Sequence, residues 1–333
     1  MELITMHPPA DAAGLPPGVR VHHLPFPAPV GYYLNWWHLR ALLRTLRPTL
    51  LHVHYATGYG TLARLTRYRP TLLSVWGSDV LVFPNQARWK RRLLRRNLLA
   101  ADYVLATSHA MRRVVEELVG GGQLVQVTPF GVDCEQFRPP AHQPSTGKIT
   151  IGTVKGLERS AGVDALIHAF ALLARWHGDE PLQLLIVGDG PERARLERLT
   201  RSLDAAAQVT FVGAVHHQAV PQWLTQMDIF ATLSNSEGFG VGVLEASACG
   251  LPVVVSNVGG LGEVVRHDVT GLIVSPRDPE AAARALDRLR SDRGLRARMG
   301  AAGRAFVLDN FEWSKTVDVM VDLYRTITQS NRM

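Results

Sequence analysis

The stretch Ser236-Glu237-Gly238-Phe239-Gly240-Val241-Gly242-Val243-Leu244-Glu245-Ala246-Ser247-Ala248-Cys249-Gly250-Leu251-Pro252-Val253-Val254 places a glycine turn, a short helix and a strand in succession. Glycines at 238, 240 and 242 bring bare backbone close to a ligand. The residues after them predict a helix over Val243–Ala248. Its amino end points unpaired N–H groups and the positive end of its dipole back at the turn, which suits phosphate or other anionic oxygens. Glu237 and Glu245 would be repelled by such an anion unless they face hydroxyl groups of a sugar or a ribose. The plainer alternative makes Glu237 a helix cap and Glu245 a solvated helix residue.

Outward from this stretch, short branched-apolar runs alternate with amphipathic segments. Strands are predicted at Ile149–Val154, Leu182–Val187, Val209–Val212, Ile229–Leu233, Val253–Ser256 and Gly271–Val274. Helices are predicted at Val163–Trp176, Pro191–Ser202, Ala219–Thr225, Gly260–Arg266, Pro279–Ser291 and Trp313–Thr328. The first half repeats the alternation: strands at Glu2–Met6, Val19–Leu24, Leu50–His54, Thr71–Val75, Tyr103–Thr107 and Leu124–Thr128, with helices at Leu34–Leu46, Tyr59–Leu65, Trp89–Ala100 and Met111–Val119. Strand–helix alternation predicts mostly parallel sheets covered on both faces. The proline-rich segment Arg138–Gly147 reads as a linker. The fold class is therefore α/β, with two Rossmann-like, doubly wound domains facing a cleft: residues 1–140, residues 141–310, and a final helix at 311–329 that could cross back to the first domain. Ligands of such folds bind at the carboxyl ends of strands.

At 333 residues, two domains are the natural expectation. No run of about 18 apolar residues is available to span a membrane, and the amino terminus lacks a secretory pattern. Cys134 and Cys249 read as buried, reduced thiols in a cytoplasmic protein. The net charge of +7 is uneven: residues 1–140 hold 16 Lys/Arg against 8 Asp/Glu, while the remainder is nearly neutral. That bias implies an anionic surface or ligand near the first half. No nucleic-acid module or aromatic stacking motif accompanies it, so nucleic acid is not expected as a partner.

The frame E-G-F-G…E-A-x-A-x-G-x-P-V-V, with Glu237 and Glu245 bounding its glutamate-x7-glutamate motif, resembles the family 4 glycosyltransferases. Further matching segments are Phe130-Gly131-Val132-Asp133, Val187-Gly188-Asp189-Gly190-Pro191, Phe211-Val212-Gly213-Ala214-Val215, Gly259-Gly260-Leu261-Gly262-Glu263 and Thr270-Gly271-Leu272-Ile273-Val274. The resemblance runs from about residue 50 to the carboxyl end and implies the two-domain GT-B fold. It also implies transfer of a hexose from a nucleoside-diphosphate sugar to an acceptor hydroxyl with retention of configuration. Neither a metal nor a further cofactor is implied. Glu245 would then hold the nucleotide ribose, and Glu237 would lie against the donor sugar. Backbone amides of Phe239, Gly240 and Val241 would meet sugar hydroxyls and the distal phosphate, with Val215 on the donor side. Lys155 and Arg159 are the candidate diphosphate cations. Two surface cations on a loop remain the alternative. Asp189 reads as a helix cap.

In the first half, His52 and His54 share a strand face, but no cysteine or carboxylate completes a metal site around them. The resemblance places His54, Gly77 and Asp79 on the acceptor side of the cleft. Many family members carry histidine where Trp76 stands, so no catalytic role carries over to that position. The strand, Gly-Gly loop and helix with which the family usually begins have no counterpart before Met6–Pro25. A sugar-nucleotide-binding or partner subunit without turnover is thus the competing function. Phosphorolysis or sugar epimerisation on the same fold is a third.

The acceptor would be a glycan or lipid-linked molecule of bacterial-type glycan or glycolipid assembly. Arg88-Trp89-Lys90-Arg91-Arg92-Leu93-Leu94-Arg95-Arg96-Asn97-Leu98-Leu99 holds six cations and four leucines. It reads either as a helix packing its leucines against the sheet or as a peripheral attachment to an anionic cytoplasmic membrane face.

Overall fold

The computed structural model describes residues 1–7, 15–140, 147–178 and 180–330. Residues 141–146 of the expected linker lie outside the described residues. The chain divides into two compact units. One takes Met1–Thr128 and the chain end from Asp322; the other takes Pro129–Val321. The boundary thus falls before the proline-rich segment. Packing gives the reason: Val132, Cys134 and Phe137 are buried in the core of the second unit, and the Val132 N–H donates to the Phe311 carbonyl at 2.8 Å.

In the first unit, β1 (Glu2–Thr5) and β2 (Arg20–His23) pair in parallel as a sheet of two. The strands β3 (Leu51–His54), β4 (Thr71–Val75), β5 (Tyr103–Ala106) and β6 (Val125–Val127) form a parallel sheet in chain order. All five residues of β4 are buried, as a central parallel strand covered on both faces requires. The helix predicted from Leu34 is broken in two. A turn at Gly31–Leu34 precedes Asn35, and the longer helix runs Trp36–Leu46.

The basic segment forms a helix, Arg88–Ala100. Leu94 and Leu98 are fully buried, whereas Trp89 and Leu99 are exposed. Burying each leucine is worth about 1.5–3 kcal/mol, so these two serve the sheet core, not a membrane. Asn97 is also buried, and its amide donates to the carbonyls of Ala56 and Thr57 and to Thr61 Oγ1.

The second unit holds β7 (Ile149–Val154), β8 (Leu182–Val187), β9 (Val209–Gly213), β10 (Ile229–Thr232), β11 (Val253–Ser256) and β12 (Gly271–Val274). They lie in the order β9-β8-β7-β10-β11-β12, all parallel. The chain builds outward from β7 in one direction, returns, and builds outward from β10 in the other. Alternate residues of β8 show that both faces are covered. Leu184 and Ile186 pack with Ile167, Phe170 and Leu286, while Leu185 and Val187 pack with Leu244 and Val307. Helix ends carry the expected devices. Asp278 accepts from the Ala281 N–H at 2.8 Å ahead of helix Pro279–Ser291, and Gly178 ends helix Val163–His177 with φ 56°.

One long helix, Arg293–Asn310, has no counterpart in the sequence reading. It buries Met299, Gly300, Gly303 and Val307, a stripe too poor in bulk to show as hydrophobic periodicity. The last helix, Trp313–Ser330, begins in the second unit and ends in the first, where Tyr324 bonds His52. No helix among the described residues is long and apolar enough to cross a membrane.

Gly300 sits where this helix crosses the carboxyl end of helix Val241–Ala248. A Cβ there would lie 1.9 Å from the Gly250 carbonyl oxygen, a backbone atom that cannot swing aside. Gly300→Ala is expected to destabilise the protein by about 1–3 kcal/mol, read as a lowered urea midpoint. An unchanged midpoint would show that the two helices can separate freely.

Candidate functional site

The reversal of strand order between β7 and β10 leaves a crevice at their carboxyl ends, because the loops leaving them run to opposite sides. Lys155 follows directly on β7, and Ser234 and Glu237 follow on β10. Their side chains meet there. The Lys155 ammonium donates to Ser234 Oγ at 2.7 Å and forms an ion pair with Glu237 Oε2. Ser234 Oγ also donates to Glu237 Oε2 at 3.3 Å. Both charged groups are about one-fifth exposed, so water can still reach the pair.

Backbone contacts fix the loops that carry these groups. The Asn235 N–H donates to the Ser160 carbonyl at 2.8 Å, and its side-chain amide to the Arg159 carbonyl at 3.0 Å, which ties the loop after β10 to the loop after β7. The Ser256 hydroxyl donates to the Ser234 carbonyl at 2.6 Å. Gly259 has φ 51°, and a Cβ on it would fall 1.8 Å from the Glu237 carbonyl oxygen. Only glycine can bring that turn so close.

Helix Val241–Ala248 starts two residues before the predicted position, directly after Gly240 with φ 109°. The amides of Val241 and Gly242 in its first turn have no carbonyl inside the helix to bond. Phe239 turns its ring inward, against Phe130 at 6.0 Å and Phe311 at 5.7 Å, so its side chain anchors the turn from below. Only its backbone is available to a ligand.

Glu245 is buried within this helix, not solvated on its surface. Its Oε1 lies 2.8 Å from His217 Nε2, and the His217 ring rests against Phe137 at 5.4 Å. Burial pushes the Glu245 carboxyl above its ordinary range, and the hydrogen bond to His217 opposes the shift. Cys249, one turn further on, is pushed up to about 12 by burial and then by Glu245. That thiol stays protonated and unreactive. Val215 packs into the core two residues before His217.

Two candidates stand apart from this cluster. The Arg159 side chain is turned to Glu192, with Nε 3.4 Å from Oε1, and is otherwise in water. It does not join Lys155. Asp189 makes no N-cap bond. It accepts from the Gly190 N–H at 2.7 Å and pairs with Arg193 at 2.9 Å, while the helix begins at Arg193, capped by Glu192 without a side-chain bond. Sequence reading missed Ser234 and His217. Ser234 is an ordinary serine beyond a strand. His217 follows His216, and that pairing carries no sign of a partner 28 residues away.

At the carboxyl end of the first unit's sheet, Asp79 is buried and bonded through both oxygens. One oxygen accepts from the N–H groups of Trp76 and Gly77, the other from that of Ala56. It clamps two loops together. Gly77, with φ 142°, opens the short helix Ser78–Leu81. The His54 ring lies 4.1 Å from that of His52 and 5.3 Å from that of Trp76. Both nitrogens of His52 are engaged, by Tyr324 and Ser74, and burial with the neighbouring His54 brings its pKa down to about 3.

A raised carboxyl means that folding favours protonated Glu245. Its contribution to stability is therefore complete below the unfolded carboxyl pKa and is lost as pH rises through the higher folded value. Glu245→Gln should remove this dependence, raising the melting temperature of the ligand-free protein near pH 8 and converging with the wild type in acid. A melting-temperature difference that does not vary with pH would mean that Glu245 is not desolvated.

The glycosyl transferases group 1 family model matches residues 135–306, and the glycosyl transferase 4-like model matches residues 1–108. The chain is 31% identical over 274 residues to the GDP-mannose-dependent alpha-(1-6)-phosphatidylinositol monomannoside mannosyltransferase of Mycolicibacterium smegmatis, covering 76% of this chain and 69% of that protein. The protein of the same name from Mycobacterium tuberculosis is 32% identical over 250 residues, and the match spans 64% of its length. Among solved structures, sucrose-phosphate synthase from Thermosynechococcus elongatus superposes with a TM-score of 0.86 at 25% identity, covering 99% of this chain and 89% of that one. HepE of Anabaena, solved with UDP and glucose, shares the fold at 20% identity with a TM-score of 0.78, covering 92% and 86%. With one family model spanning over half of the chain, in the half that carries Lys155, Glu237 and Glu245, the chain belongs to the group 1, family 4-like glycosyl transferases of the GT-B fold.

Proposed function

We propose that this protein transfers a hexosyl group from a nucleoside-diphosphate sugar to a hydroxyl of a glycan or lipid-linked acceptor, with retention of configuration. The observation that carries the reading is the Lys155–Ser234–Glu237 cluster at the β7/β10 switch point, followed within one helix by the buried Glu245. In this reading the Lys155 ammonium and the amides opening helix Val241–Ala248 stabilise the leaving diphosphate without a metal. Glu237 accepts from donor-sugar hydroxyls, and Glu245 accepts from the ribose. The bond between the anomeric carbon and the diphosphate oxygen breaks while a bond to the acceptor oxygen forms on the same face. The acceptor proton passes to the departing phosphate oxygen, so no enzyme nucleophile and no further cofactor are required.

The mycobacterial relatives are named as GDP-mannose-dependent, which makes GDP-mannose the first donor to test. Their names also include phosphatidylinositol monomannoside, which makes a phosphoinositide-like lipid the first acceptor to test. On this reading the protein serves glycolipid or polysaccharide assembly from a peripheral place at the cytoplasmic membrane face.

A thermal-shift screen against GDP, UDP, ADP, TDP and their sugars identifies the donor, because a ligand of the folded state raises its melting temperature. Glu245→Ala should weaken nucleotide binding about ten- to a hundredfold, as expected for losing a hydrogen bond to a charged acceptor worth about 1.5–3 kcal/mol. Lys155→Ala should weaken nucleoside diphosphate binding but spare the nucleoside, and should slow transfer. Wild-type affinities in both variants would remove the donor assignment. Tight donor binding with neither transfer nor donor hydrolysis would favour a binding subunit without turnover.

A further inference from the structure

Residues 12–78 contain seven arginines and no aspartate or glutamate. Within this stretch lies a dense run of exposed apolar side chains: Val30, Tyr33, Leu34, Trp36 and Trp37, with Val30 and Trp37 more than half exposed. A folded domain ordinarily buries such residues, and an exposed cluster of them marks an interaction surface.

They are not displayed by a loose loop. Asn35, which is fully buried, sits between the turn Gly31–Leu34 and helix Trp36–Leu46. Its side chain accepts from the Phe26 N–H at 3.2 Å and donates to the Phe26 carbonyl at 2.7 Å. A Cβ at Gly31 would fall 2.1 Å from that same carbonyl oxygen. The hinge is thus pinned on the inside while four consecutive exposed positions, interrupted only by Asn35, face outward.

The following helix buries Leu39 and Leu43 and exposes Arg40 and Arg44, which lie one and two turns beyond Trp36 and Trp37. Ion pairs of the first unit include those of Arg20, His22, Arg69, Arg112 and Arg325; among the described residues, neither Arg40 nor Arg44 takes part in one.

Tryptophan and tyrosine beside unpaired arginines match the two layers of an anionic membrane surface, where aromatic rings seat at headgroup depth and cations meet lipid phosphates. We propose that the hinge Val30–Arg44 docks on an anionic bilayer. Tyr33, Leu34, Trp36 and Trp37 enter the interface, and Arg40 and Arg44 hold the phosphates above it. This rests on the reading of a peripheral transferase given above, and it moves the primary contact from helix Arg88–Ala100, whose Leu94 and Leu98 are used by the core, to the hinge.

Co-flotation with vesicles of phosphatidylcholine alone, or of phosphatidylcholine and phosphatidylglycerol in equal parts, tests it at low and high salt. The full chain should float with the anionic vesicles only, and less so in high salt. The double variant Trp36→Ser with Trp37→Ser should lose about tenfold or more of its partitioning. Arg40→Gln with Arg44→Gln, which leaves the apolar face intact, should lose about fivefold or more. Retention of wild-type partitioning by the tryptophan variant overturns the proposal. So does a wild-type dimer in light scattering that the tryptophan variant dissociates, because a second copy would then cover the face. Nucleotide thermal shifts on the same preparations separate the two readings. A donor shift without vesicle binding removes the docking surface alone, and vesicle binding without any donor shift removes the transferase reading alone.

Discussion

Two adjacent parallel strands whose chains depart in opposite directions cannot close over their own carboxyl ends, and the gap they leave has to be filled by side chains or by a ligand. In the second unit that gap lies between β7 and β10. A lysine leaves one strand and a glutamate leaves the other, and their pairing through Ser234 holds opposite charges where the sheet offers no backbone to cover them. Neither charge could stay so close to the core alone, since a partly buried ion without its partner is costly. The geometry of the site is therefore a consequence of strand order before it is a consequence of any motif.

Everything else in that unit supports the same few ångströms. Asn235 stitches the loops after β7 and β10 together, and Gly259 lets a second turn press against the Glu237 carbonyl. Phe239 roots the glycine turn in the core between Phe130 and Phe311. Helix Arg293–Asn310 then braces helix Val241–Ala248 from outside through Gly300. Glu245 is the one member that resists its position. Burial raises its proton affinity, and a single histidine hydrogen bond returns part of the loss. A carboxylate kept dry and turned toward one partner is poised to accept from another, and a ligand hydroxyl could meet that need.

Strand positions were legible because parallel strands covered on both faces read as unbroken apolar runs. Thr71–Val75, Ile149–Val154 and Leu182–Val187 fall where the sequence puts them. Helix Arg293–Asn310 was not legible, since its contact is made by glycines that let backbones approach and not by bulk that periodicity detects. The break at Asn35 was hidden for a similar reason: a polar residue inside a helical pattern reads as surface until its bonds to Phe26 are seen. In the site, Lys155, Glu237 and Glu245 stood out through their frame. Arg159 stands apart from that cluster, with its exposed side chain beside Glu192. Ser234 and His217 are defined only by partners far away in sequence.

The first unit shows the opposite balance between what a motif suggests and what a residue does. Asp79 looks like a site acid by its place at a strand end, yet both its oxygens already accept from backbone N–H groups, three in all. Its work is to join the loop after β3 to the loop after β4. Tyr55, in the first of those loops, has φ 79°, a conformation that costs a non-glycine residue on the order of 1 kcal/mol or more. The clamp at Ala56, the next residue, holds the loop in that shape, and the Tyr55 ring then lies 6.2 Å from that of Trp76. Strain at Tyr55 and the buried charge at Asp79 thus maintain an aromatic edge of Tyr55, Trp76 and His54 at the carboxyl end of the sheet. Sequence could name those residues one at a time. Only the folded chain shows that the acid is the support and the aromatic rings are the surface.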